Sequence, residues 1–152
     1  MRIVLSLCLV LLSSPALAQT PRPGLDHASA AKIRDTCLAW ARANGRSFAI
    51  AVMDNRGMPV TFDHMDGASA AVGEIARWKA DSAARFGRAT AELGARNPPA
   101  NMPHVATIGG GVPIYSADGV LLGGVGTSGG SPDEDAACGA AGIEAAGLRT
   151  SK

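Results

Sequence analysis

The chain has 152 residues, 47% of them hydrophobic and 18% charged, with 14 basic and 13 acidic side chains and a formal net charge of +1. That length accommodates one domain with a sizeable core. The near-zero charge argues against nucleic acid or an anionic membrane surface as the main partner.

The first eighteen residues read as a secretory signal peptide. Met1-Arg2 is a short positive start, and residues 3–12 are an apolar run too short to span a bilayer. Ala16-Leu17-Ala18 is a small-x-small cleavage site. Cys8 lies inside the apolar run behind the bulky Leu7, which is not the layout of a lipoprotein signal. The mature chain is expected to begin near Gln19, in the periplasm or outside the cell. Loss of Arg2 leaves basic and acidic residues equal in number. No second apolar span follows, so no membrane anchor is expected. Of the three cysteines, Cys37 and Cys138 remain. In an oxidising compartment they are candidates for a disulfide; the alternative is two small buried apolar residues.

Residues 19–24 (QTPRPG) read as a flexible start. Residues 25–44 predict a helix, rich in alanine and ended by Asn44-Gly45, with Ala30, Ile33, Cys37 and Ala41 at helical spacing as its buried stripe. Residues 47–54 (SFAIAVMD) form a continuous apolar run, the pattern of a strand covered on both faces. After the turn Asn55-Arg56-Gly57, residues 59–65 alternate as a second strand and close a hairpin. The alternation puts Val60, Phe62 and His64 on one face and Thr61, Asp63 and Met65 on the other. A second helix is predicted over 69–86, with Ser69 as N-cap and Val72, Ile75, Ala76, Lys79 and Ala83 along one side. Residues 84–95 are helical in part, and Pro98-Pro99 makes 96–102 a loop.

Residues 104–108 predict a short strand. Residues 112–116 and 120–127 predict a second hairpin around Ala117-Asp118-Gly119. Ser131-Pro132-Asp133-Glu134 is a complete helix start, with an N-cap, a proline in the first turn and a glutamate placed for a capping box; that helix is expected to run to about Leu148. The order is α+β around one mainly antiparallel sheet, in a single domain over residues 25–150.

The glycine run imitates two catalytic motifs. Residues 124–129 are literally GxGxxG, but only one helix follows them, and a dinucleotide fold needs a further strand. Residues 126–130 are literally GxSxG, but the last histidine, His104, lies upstream, and the helix starts too late for a nucleophile elbow. What remains is either a ligand-facing loop at Thr127, Ser128 and Gly129 or a strand made thin for close packing. Asp133 and Glu134 already occupy the positive helix end, so the packing reading is preferred.

Several stretches together resemble the GlcG/HbpS-like family, the haem-degrading domain family that also forms the C-terminal part of PduO-type proteins. They are Gly110-Gly111-Val112-Pro113-Ile114, the Asp118-Gly119 turn, Val125-Gly126-Thr127-Ser128-Gly129 with Asp135 after it, and, upstream, Ala51-Val52-Met53-Asp54, Gly57 and Met65-Asp66-Gly67-Ala68. The resemblance spans nearly all of residues 25–148. It implies a profilin-like fold, a five-stranded antiparallel sheet with helices on both faces. It places the first and last helices on one side, bringing Cys37 near Cys138. It also implies homo-oligomers, and haem binding in some members; others accompany the metabolism of small organic acids or diols.

No CxxCH attachment is present, so haem would be held non-covalently through an axial side chain. The candidates are His27, His64, Met65, Met102, His104 and Tyr115. His104 is preferred, with Met102 beside it and His64 as a further candidate. The three histidines form no HxxxH or HExxH pair, and Asp54, Asp63 and Asp66 read as turn chemistry, so no metal-ion site is expected. The leading expectation is an exported haem-binding or redox-accessory protein. The alternatives are a small organic-acid binder or enzyme, and a ligand-free oligomeric assembly module.

Overall fold

The computed structural model describes residues 22–152; the leader assigned to residues 1–18 lies outside the described residues. Four helices and four strands follow in the order α1 (His27–Ala43), β1 (Ala49–Asp54), β2 (Pro59–His64), α2 (Ala70–Phe86), α3 (Thr90–Ala95), β3 (Gly111–Tyr115), β4 (Leu121–Ser128) and α4 (Pro132–Ala145). The strands form one antiparallel sheet in the order β2-β1-β4-β3.

The central strand β1 is buried along its whole length, as its unbroken apolar run requires. Ile50 and Val52 enter a core with Ile33, Cys37 and Ala41 of α1 and Cys138 and Ile143 of α4. Ala49, Ala51 and Met53 meet Ala76, Ala80 and Ala84 of α2 on the opposite face. The two faces differ in thickness. On the α2 side β4 carries glycines, and a Cβ built on Gly124 would lie 2.5 Å from Ala84 N and 2.8 Å from Ala80 O. A Cβ on Gly126 would run into the backbone of Ala76 and Ala80. The helix backbone therefore rests almost on the strand backbone, and the glycine run is a packing surface.

On the thicker side a Cys37–Cys138 disulfide joins α1 to α4, with Cα atoms 4.8 Å apart. Helices α1 and α4 are each started by a side-chain cap, whereas Ser69 at the start of α2 makes no cap hydrogen bond. Asp26 Oδ1 accepts the Ser29 N–H at 2.8 Å. Ser131 Oγ accepts the Glu134 N–H at 3.3 Å while Glu134 Oε2 accepts the Ser131 N–H at 2.9 Å, a closed capping box. Helix α4 stops at Ala145, short of Leu148, and Arg149 then pairs with Tyr115 through backbone bonds of 2.8 and 2.9 Å.

Two expectations are corrected. The sheet has four strands among the described residues, because residues 104–108 are not a strand. His104 has φ +62, outside the extended region. The backbone that follows bonds to side chains of helices: Ala106 N–H donates to Ser82 Oγ at 3.0 Å, and Ile108 O accepts from Thr90 Oγ1 at 2.7 Å. Those hydroxyls supply what a neighbouring strand would have supplied. Val60 also leaves its expected face. Val52 pairs with Thr61 and Met53 with Pro59, so Val60 is the extra residue of a bulge. It packs toward the α1/α4 core, whereas Phe62 and His64 lie beside Gly73 of α2.

Candidate functional site

Helix α2 presents Asp81 and Arg85 one turn apart. Arg85 Nε donates to Asp81 Oδ1 at 2.6 Å. The second oxygen, Oδ2, lies 2.7 Å from His104 Nδ1. The β1–β2 turn closes over this pair at Gly57, whose φ is +79; a Cβ there would lie 2.7 Å from Arg85 Cζ. Only glycine suits both the dihedral and the space. Beneath the turn, the buried Asp54 carboxylate accepts the N–H groups of Arg56 and Met58 at 2.9 and 3.0 Å and the Arg56 side chain at 2.9 and 2.5 Å. Burial pushes the Asp54 carboxyl up, but the hydrogen bonds from Met58 and Arg56 outweigh it and hold the group below the usual aspartate range.

A carboxylate can only accept, so in the neutral imidazole the Nδ1 of His104 carries the proton and Nε2 keeps its lone pair. The side chain is 53% exposed, and Nε2 makes no hydrogen bond among the described residues. Three exposed apolar side chains lie close in sequence to residues of this cluster. Met102 stands two residues before His104, Met58 follows Gly57, and Trp78 precedes Asp81 by three residues on one helix face. An exposed imidazole with an unshared, directed nitrogen lone pair can coordinate a metal complex.

The other candidates fall elsewhere. His64 Nε2 lies 3.0 Å from Ser69 O, so that nitrogen donates to the backbone and ties β2 to the start of α2. It borders a polar hollow of about 390 Å³ with Arg42, Asp63, Met65 and Asp66. His27 is exposed at the first position of α1, away from this loop in the sequence. The Tyr115 hydroxyl donates to Gly87 O at 2.8 Å, and Met65 Sδ accepts the Phe48 N–H at 3.4 Å; both work inside the fold. Thr127 and Ser128 are buried in β4, with Thr127 Oγ1 3.7 Å from Cys37 Sγ, so neither presents a ligand-facing hydroxyl. Gly129, exposed with φ +136, is held against Ser47 O, 2.6 Å from where its Cβ would be.

The sequence reading misses two pairings. Asp81 as partner of His104 leaves no motif, being 23 residues away. Lys79, placed on the buried side of α2, finds Asp135 of α4: Nζ donates to Asp135 Oδ2 at 2.7 Å and to Thr127 O at 3.0 Å. Asp135 Oδ1 accepts the Gly130 N–H at 3.0 Å. With exposures of 1% and 2%, this pair is sealed inside the protein, and it ties α2, β4 and α4 together. Among the described residues no three His, Cys, Asp or Glu side chains gather to hold a metal ion, and no helix is long and apolar enough to cross a membrane.

Comparison with known proteins adds a family to this geometry. The PduOC:haem complex is 25% identical, with a TM-score of 0.77, over 85% of this chain and 99% of that one. A crystal structure of HbpS is 28% identical, TM-score 0.79, over 88% and 97% respectively. A double mutant of HbpS from Streptomyces reticuli is 26% identical, TM-score 0.79, over 90% and 96%. Among curated protein sequences no match was found. The family model described as haem degrading protein HbpS-like matches residues 25–144. The chain therefore belongs to the HbpS-like haem-degrading protein family.

Proposed function

We propose that the protein is an exported haem-binding protein that holds haem non-covalently with His104 as the axial ligand. The observation that carries this reading is the His104–Asp81 pair, which leaves an exposed imidazole with Nε2 uncommitted. A non-covalent haem site needs an axial donor, apolar side chains against the ring and cations for the propionates. His104 is the candidate for the donor, the exposed Met102, Met58 and Trp78 for the ring contacts, and Arg85 and Arg56, each already paired to an aspartate, for the propionates. A haem complex of a relative with the same fold supports the ligand. Bound haem would supply a redox-active iron; the protein supplies the donor nitrogen and the surface. A haem-degrading or redox-accessory role is the corresponding activity.

Export is supported by the layout of residues 1–18 and by the Cys37–Cys138 disulfide, a bond that persists in oxidising compartments. A homo-oligomer is the expected state on the family resemblance. The organic-acid reading relies on Thr127 and Ser128, and their burial leaves it without a donor there.

Titration of the mature protein with hemin is the test. The expected result is a saturable Soret shift that His104→Ala abolishes or moves. No shift in the wild-type protein would refute haem binding; a shift unaltered by His104→Ala would refute the ligand assignment.

A further inference from the structure

We infer that Asp81 is the positioning residue of this site, fixing His104 in the Nδ1–H tautomer so that Nε2 is the nitrogen offered to iron; this rests on the haem reading above. A neutral histidine in water favours the opposite tautomer, with the proton on Nε2, and exchanges between the two. At His104 the acceptor 2.7 Å from Nδ1 is a carboxylate oxygen, which can only take a proton in a hydrogen bond. The tautomer is set by that partner rather than by solvent.

The carboxylate is itself immobilised. Its other oxygen accepts from Arg85 Nε at 2.6 Å, and its side chain is only 16% exposed. It projects from the middle of α2, next to the fully buried Ser82 and Ala83. The absent side chain of Gly57 lets the hairpin turn seat directly on the Asp81–Arg85 pair, so a rotation of Asp81 meets backbone. Helix, turn and ion pair thus hold one acceptor atom in one place.

The backbone of His104 agrees with this. A non-glycine residue at φ +62 is uncommon, and histidine is among the side chains enriched there. The conformation places an exposed ring on a charged partner one helix away, across 23 residues of chain. Histidines that ligate metals commonly donate the remaining ring N–H to a carboxylate, which orients the ring and raises its basicity as a ligand. Asp81 occupies that place before any metal arrives.

The test separates this inference from the haem reading by using the apo protein first. Long-range proton–nitrogen NMR of the haem-free wild type, at a pH where the imidazole is neutral, should show a protonated Nδ1 and a bare Nε2 at His104. Asp81→Ala should move the population toward Nε2–H, and Asp81→Glu should restore part of the Nδ1–H form. With hemin, Asp81→Ala should weaken binding by about tenfold to a hundredfold, the range for such supporting residues. It should also lower the iron–imidazole stretching frequency of the reduced complex, with Asp81→Glu intermediate. An unchanged tautomer in Asp81→Ala, or a change in melting temperature alone with tautomer and stretching frequency unmoved, overturns the positioning role. Failure of the wild type to bind hemin would overturn the haem reading, while the apo NMR still decides whether Asp81 sets the tautomer.

Discussion

Replacing Lys79 with methionine removes an ammonium and keeps most of the side-chain volume. In the native protein that ammonium donates to Asp135 Oδ2 at 2.7 Å and to Thr127 O at 3.0 Å, and the two side chains are 2% and 3% exposed. Lys79→Met leaves the Asp135 carboxylate inside the protein with the Gly130 N–H as its remaining donor. Stranding one charge of a buried pair costs about 3–5 kcal/mol, a large part of the roughly 5–15 kcal/mol that a domain of this kind has. With a urea slope of about 2 kcal/mol per molar, the unfolding midpoint should fall by about 2 M, with the slope unchanged. Lys79→Met with Asp135→Leu removes both charges. Its remaining deficit should be about 1–3 kcal/mol, from the Gly130 N–H left without an acceptor. The assay is urea unfolding followed by circular dichroism, under non-reducing conditions, on the wild type, both single variants and the double. If the double variant is as unstable as the sum of the two singles, the pair has no coupling and the reasoning is wrong.

The thin face of the sheet makes a second expectation. Gly124→Ala puts a methyl 2.5 Å from Ala84 N and 2.8 Å from Ala80 O, both helix backbone, so α2 must lift and the domain should lose about 1–3 kcal/mol or more. Gly24→Ala, with nothing within 4 Å, is the control that should melt with the wild type. Asp54 sets an acid limb. Its carboxyl titrates lower in the folded state than in the unfolded chain, so its contribution is present above the ordinary aspartate range and lost as pH falls through the folded value. Asp54→Asn should therefore be less stable than wild type at neutral pH, and the gap between the two should narrow below about pH 4 in paired melting curves.

Local chemistry is legible in this chain, and pairing across distance is not. The Ser131–Glu134 helix start reads correctly because every partner in a capping box lies within three residues. The continuous run of β1 reads as a doubly covered strand because burial on both faces leaves no alternation to find. Residues 104–108 mislead because a short apolar segment looks the same whether its backbone is completed by a strand or by the hydroxyls of Ser82 and Thr90. Val60 misleads because a bulge is a property of two strands in register, and neither strand shows it alone. Lys79 on the buried side of α2 signals a buried counter-charge. It does not say which acid answers it, and Asp133, Glu134 and Asp135 stand side by side in the first turn of α4. His104 is legible as a candidate, whereas Asp81, the group that gives its ring a direction, belongs to another element.

The Cys37–Cys138 bond makes the body of the protein a closed ring, because all four strands lie between the two cysteines. Tension between α1 and α4 is carried through sulfur rather than through the sheet. The same ring changes what a protease can do. A cut in the loop between α3 and β3, which carries Met102 and His104, opens the ring without releasing a fragment, and both pieces stay tethered at the bond. Separation of the two pieces then waits on a reductant as well as on the cut.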